Sequence, residues 1–202
     1  MVIPRNQFTE AERKERRIEI IEAAVREFAE HGYHGADVGK IAAEAGVAKG
    51  TIYNYFANKE DLFVGVVHSG MDQLVNQLAE IASGRGDPLA RLRKAVLESL
   101  KFTERNLGIY QVMINEAVRS CPGAVTECGS MHKTVLDIIE DMIKQCIAAG
   151  QLSRSDPKAL AVMLYGLVDG VTTHAVLTTN EFDIKRSHRV IMKVFLDGTR
   201  KR

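Results

Sequence analysis

No unbroken apolar run long enough to cross a bilayer occurs in the 202-residue chain, which speaks against a membrane-spanning helix. The opening stretch, MVIPRNQFTEAERKERR, has no apolar heart and does not read as an export signal. The expectation is a cytoplasmic protein. Cysteine is scarce, with Cys121, Cys128 and Cys146 only. An odd number of thiols without an export signal argues against a disulfide framework. Cys128 and His132 stand one helical turn apart with Cys121 upstream, but no fourth ligand completes the set that zinc prefers. Buried structural thiols are the simpler reading, and no metal is expected. Charge of one sign is also lacking. The net charge is +1, and residues 1–60 hold nine Lys or Arg against ten Asp or Glu. A global basic field for nucleic acid is therefore excluded, and any such site must be local.

Catalytic devices are missing as well. The sequence has no glycine-rich phosphate loop, no nucleophile elbow and no metal-binding histidine pair. An enzyme is disfavoured and no cofactor is implied. Sustained strand alternation, low-complexity tracts and internal repeats are absent too. What remains is an ordinary globular composition, 46% hydrophobic and 26% charged, with helical spacing nearly throughout.

The reading is all-α, with about nine helices. Thr9 and Glu12 form a capping box. Ile18, Ile21, Val25 and Phe28 then mark one helix face, and Gly32 ends the helix. Asp37 caps a short second helix reaching Ala45, and Lys49 to Tyr55 form a third. A long helix from Lys59 to Ala82 carries Gly65 and Gly70 as weak points that would ease bending. Asp87-Pro88 and Asp156-Pro157 start later helices. Two domains follow from this pattern, 1–58 and 59–202.

The stretch GVAKGTIYNYFANKEDL, Gly46 to Leu62, carries the most information. Gly46 turns between two short helices, and Ala42 leaves room for them to cross. This is the spacing of a helix-turn-helix, whose second helix would enter a major groove. Gly50 has no side chain and lets backbone and groove approach. Lys49 matches guanine O6 and N7, Thr51 a phosphate or thymine methyl, Tyr53 a thymine methyl or phosphate, and Asn54 adenine. Lys59, at the start of the fourth helix, would add a phosphate contact. Tyr33 and Phe56 read as packing residues. Arg13 to Arg17, and Arg5, are further candidates for phosphate and minor-groove contacts.

The segment GYHGADVGKIAAEAGVAKGTIYNYFANKEDL, residues 32–62, resembles the DNA-binding signature of the TetR family of bacterial repressors. The likeness covers residues 15–62 well. It implies a homodimer on a palindromic double-stranded DNA operator, a small hydrophobic ligand held among the middle helices, and dimerisation through the last two. Carried onto matching positions, Lys49, Gly50, Thr51, Tyr53, Asn54, Tyr55 and Lys59 are the expected DNA contacts. Two departures stand out. Ala36 and Asp37 replace a Thr or Ser pair, and Ala48 replaces a serine that would cap the recognition helix.

The second domain offers methionines and scattered polar residues on apolar helices, the make-up of an adaptable pocket. The ligand candidates are Met71, Phe102, Tyr110, Met113, Glu116, Met142, Asp169 and His174. Arg105 and Arg119 could meet a phosphate. GVAKGTIY…NKED and GLVDGVTTHAVL resemble TetR-type regulators of fatty-acid degradation, which respond to acyl-CoA. A drug-responsive efflux-pump repressor is the alternative, and a helical adaptor that binds only protein is the rival outside this class. Adjacent apolar pairs along the last two helices exceed one core face, as an intersubunit four-helix bundle would need.

Overall fold

The computed structural model describes residues 9–113, 121–178 and 182–199. Glu116, Arg119 and Arg5 lie outside these. Among the described residues there are nine helices and no strand. The described residues fall into two compact units. One takes those within Met1–Ser69 and Val112–Glu127, the other those within Gly70–Gln111 and Cys128–Arg202. The first unit thus takes in turns of the fourth helix beyond position 58, and a segment from much later in the chain.

In the first unit, α1 spans Glu10–Gly35. Its start is the capping box: the Glu12 N–H donates to Thr9 Oγ1 at 3.2 Å, and the Thr9 N–H donates to the Glu12 carboxylate at 2.7 Å. Gly32 breaks the regular helix at φ 70°, as its lack of a Cβ allows. The buried stripe is Ile20, Ile21, Ala24 and Phe28. Ile18 is 47% exposed and Val25 only half-buried, so the core face is rotated from the one expected. The small Ala23 and Ala24 lie fully buried on the realigned side.

Helix α2, Val38–Glu44, is capped by Asp37, whose Oδ1 accepts the Gly39 N–H at 2.7 Å. Gly46 makes the turn at φ +66°. Helix α3 is one turn only, Lys49–Ile52, and Ala48 gives it no side-chain cap. Helix α4, Lys59–Ser83, brings Leu62 and Phe63 to the core with Ile41 and Ile52. Phe63 meets Phe28 edge-on at 5.0 Å between centroids and Tyr33 at 5.4 Å.

Gly65 has a packing duty here. A Cβ on it would sit 2.8 Å from the buried Phe56 ring, which Arg17 covers from 5.2 Å. At Gly70, within the second unit, the nearest atom to an added Cβ is on Phe102, at an ordinary 3.7 Å. Gly65→Ala should therefore destabilise by about 1–3 kcal/mol, whereas Gly70→Ala should stabilise by roughly 0.5–1 kcal/mol through helix propensity. Urea titrations of the two variants check this. Equal effects would show that Phe56 moves freely.

The second unit holds α5 (Pro88–Arg105), part of α6 (Leu107–Val112), most of α7 (Pro122–Ala148), α8 (Pro157–Thr178) and α9 (Ile184–Thr199). Asp87 caps α5 by accepting the Ala90 N–H at 2.8 Å, with Pro88 at the first position. Gly150, at φ +70°, follows the end of α7. Leu78, Leu92, Leu100, Met142, Ile143 and Leu152 are the largest fully buried side chains of this core. Met192 and Phe195 of α9 join it.

Helix α8 is apolar on two sides. Leu160, Ala161, Leu164, Ala175 and Val176 face inward. Ala159, Met163, Gly166, Gly170, His174 and Leu177 form an outer stripe at three- and four-residue spacing, all exposed. By length and composition this helix could cross a membrane, although Lys158 and Asp169 interrupt its apolar run. Its double-sided pattern accounts for that apolarity.

Candidate nucleic-acid interface and ligand cavity

The loop between α2 and α3 is closed by backbone bonds. The Gly46 N–H donates to the Ala43 carbonyl at 3.2 Å, and the Val47 N–H to Ala42 at 2.9 Å. Ile52, 1% exposed, roots α3 in the core. Much of the rest of this stretch is open to solvent. Lys49, Gly50, Tyr53 and Asn54 are exposed, Tyr53 to 46%, while Thr51 and Tyr55 are half-buried. A Cβ at Gly50 would meet nothing within 4 Å, and its φ lies outside the glycine-favouring range. The chain's own packing gives no reason for glycine there, although glycine in a helix costs about 1 kcal/mol.

Lys59 is placed differently from its expected role. Its Nζ donates to the carbonyls of His34 at 3.1 Å and Ala36 at 2.6 Å, and lies 5.3 Å from the Tyr33 ring. The ammonium thus caps the end of α1, where carbonyl oxygens lack helical partners. Its side chain braces the end of α1. Arg17, similarly, stacks on Phe56.

Glu27 stands in the acid-rich later part of α1, yet it is 6% exposed. Its Oε1 accepts the Asp37 N–H at 2.9 Å, and its Oε2 lies 3.3 Å from His31 Nδ1. It holds the entrance of α2 against α1. No local pattern marks such a residue, because its partner is ten positions on. Behind the same helices, burial and then a hydrogen bond with the Cys121 thiol push the Tyr33 phenol above its ordinary range. Burial likewise raises Cys121, and it pushes Cys146 up to about 11. Both thiols stay protonated at neutral pH and neither is an activated nucleophile. Among the described residues, no group of three or more His, Cys, Asp or Glu is placed to hold a metal.

The second unit contains a cavity of about 60 Å³. Its wall draws on α4, α5, α6, α7 and α8. Leu78, Leu92 and Leu164, each at most 1% exposed, make one apolar end. Half-buried Met71, Tyr110 and Tyr165, with exposed Asp169, make the other. Met71, Tyr110 and Asp169 of the expected ligand set are thus brought together. Phe102 and Met142 are buried core residues outside the described lining. Half-buried Met113 and exposed His174 do not line it either, His174 because it sits on the outer stripe of α8. Arg105 is held 3.9 Å from Glu98 at the surface. Ser99, Thr103, Tyr165 and Thr172 line the cavity and were not singled out in the sequence. Only the helical spacing of Thr172 from Asp169 could have pointed to it.

Residues 20–66 match the profile of bacterial regulatory proteins of the tetR family, and residues 88–198 that of the C-terminal part of BetI-type transcriptional repressors. The chain is 28% identical over 185 residues to the fatty acid metabolism regulator protein of Bacillus subtilis, covering 90% of this chain and 94% of that protein. The solved structure of FadR from Bacillus subtilis in complex with stearoyl-CoA superimposes with a TM-score of 0.77 at 26% identity, covering 90% of this chain and 98% of that one. SmeT, the repressor of the Stenotrophomonas maltophilia multidrug efflux pump SmeDEF, has been solved with triclosan. That complex gives 0.79 at 25% identity, covering 93% and 92%.

Proposed function

Because the chain belongs to the TetR family of bacterial regulatory proteins and is a ligand-responsive transcriptional regulator, we propose that it is a cytoplasmic homodimeric repressor released from DNA by long-chain acyl-CoA. Lys49, Gly50, Thr51, Tyr53, Asn54 and Tyr55 meet a palindromic operator. Lys59 serves this surface by bracing it, and the N-terminus of α4 faces phosphate. The observation that carries the DNA reading is the outward cluster of Lys49, Gly50 and Tyr53, all exposed, with open space around Gly50.

The acyl reading rests on the graded cavity. A narrow slot with a closed aliphatic end and a partly open polar end suits a polymethylene tail with its head group outside. The likeness to the stearoyl-CoA complex supports the same ligand class. Helix α4 carries Met71, Leu74 and Leu78 in the cavity wall and Leu62 and Phe63 in the core of the first unit. A ligand that binds one position of this helix better than another changes the half-site separation. Differential affinity is the only way it can shift the equilibrium.

The test is DNA binding by the purified protein, using its own upstream region, across a salt series. Steep salt dependence and sequence selectivity are expected. Lys49→Ala and Tyr53→Ala should each weaken selective binding about ten- to a hundredfold. Micromolar stearoyl-CoA should release the DNA. Release by triclosan and not by stearoyl-CoA would replace the acyl reading with the drug-responsive one. Binding indifferent to both substitutions would overturn the interface.

A further inference from the structure

We propose that the Thr172 hydroxyl reads a neutral acyl carbonyl of the ligand, so that the protein selects acyl thioesters over both free fatty acids and simple alkyl chains. The inference rests on the acyl-CoA reading and deepens it. Thr172 is 4% exposed and lines the cavity, and its Oγ1 is buried with no hydrogen-bond partner.

That vacancy runs against the habit of this chain. Thr103, Thr126, Thr134, Thr178 and Thr199 all donate their hydroxyls to the carbonyl four residues back, at 2.7–3.3 Å. A helical threonine can satisfy itself this way at little cost. Thr172 forgoes the bond although its hydroxyl is buried, in an apolar wall where an unpaired hydroxyl is costly. The other hydroxyls of the slot on α5 are already committed. Ser99 donates to the Ala95 carbonyl at 3.0 Å, and Thr103 to the Ser99 carbonyl at 3.2 Å. Thr172 is therefore the buried hydroxyl in the cavity wall that has a proton left to give, and the matching group is an acceptor.

Charge decides which acceptor. Asp169 lines the same cavity one turn before Thr172. A fatty-acid carboxylate seated there would face a like charge at the partly open end of the slot. A thioester carbonyl carries no charge and accepts the same bond.

Calorimetric titration of the full-length protein with three probes tests this: stearoyl-CoA, the thioether S-octadecyl-CoA, which lacks the carbonyl, and free stearate. Stearoyl-CoA should bind about tenfold more tightly than the thioether, the worth of one neutral hydrogen bond to an otherwise unpaired group. Stearate should bind more weakly than stearoyl-CoA. Thr172→Val, near in shape, should bring stearoyl-CoA and the thioether to equal affinity without lowering the unfolding temperature, since no bond within the chain is lost. Thr172→Ser should keep the preference. If wild type ignores the carbonyl, or if Thr172→Val still prefers the thioester, the inference falls and the acyl reading stands. Stearate binding as tightly as stearoyl-CoA overturns the neutral-acyl selectivity. No binding of either CoA derivative overturns the acyl reading together with the inference.

Discussion

Phe28→Ala is expected to unfold the N-terminal unit at ambient temperature and to abolish DNA binding altogether. Phe28 is fully buried, 5.0 Å from the Phe63 centroid and 6.1 Å from Tyr33. Truncating a buried phenylalanine costs about 3–5 kcal/mol, transfer and cavity terms together. A unit this small buries a limited share of its surface and has little stability in reserve. The loss also reaches the interface indirectly. Tyr33 stacks on Phe28, and the Lys59 ammonium lies beside Tyr33 while it binds the last carbonyls of α1. Removing the ring takes away the platform that holds the ends of α1 and α4 together. Far-UV circular dichroism through a urea titration would reveal the early transition. A variant that unfolds with wild type and still binds operator would mean that the aromatic cluster is decorative.

Local chemistry was legible in the sequence because each signal and its effect lie within one turn. Thr9 with Glu12, Asp37, Gly46 and Asp87 with Pro88 do in the structure what their residue types require. The all-helical fold followed from periodicity alone. Long-range partners were not legible. Lys59 finds carbonyls 23 and 25 residues back, and Glu27 a backbone N–H ten residues on. No spacing rule encodes either. Ile18 misled for a related reason: an apolar residue adjoining a stripe looks the same whether the helix is rolled toward it or away. The cavity was half legible. Met71, Tyr110 and Asp169 were found because methionine and lone polar residues stand out on apolar helices. Thr172 stayed hidden because the bond it fails to make appears only in coordinates.

On the proposed homodimer, Met163→Glu combined with Val194→Glu should convert dimer to monomer while leaving the fold intact. Met163 on α8 is 62% exposed and Val194 on α9 54%, with Val162, Leu177 and Val190 exposed beside them on the same two helices. Exposed single apolar residues are unremarkable, but such a set on neighbouring helices marks a surface that something covers. Gly166 and Gly170 lie on the same stripe of α8, and a Cβ on either would meet nothing within the chain. Small residues there let a second helix come close. In the proposed dimer, two such helices from each of two copies would make a four-helix bundle, closed by a twofold axis. The carboxylates would lose water on association without gaining a partner. Within one chain these side chains are open to solvent, so thermal unfolding of the isolated subunit should barely change. Sedimentation velocity should report a monomer at concentrations where wild type is dimeric. Affinity for a two-half-site operator should fall about a hundredfold or more, because the second recognition helix no longer arrives with the first. Ile18→Glu, equally exposed but on α1 of the other unit, serves as the control and should leave the dimer untouched. A double variant that remains dimeric would move the interface to another face, and the apolar stripe of α8 would need a different partner.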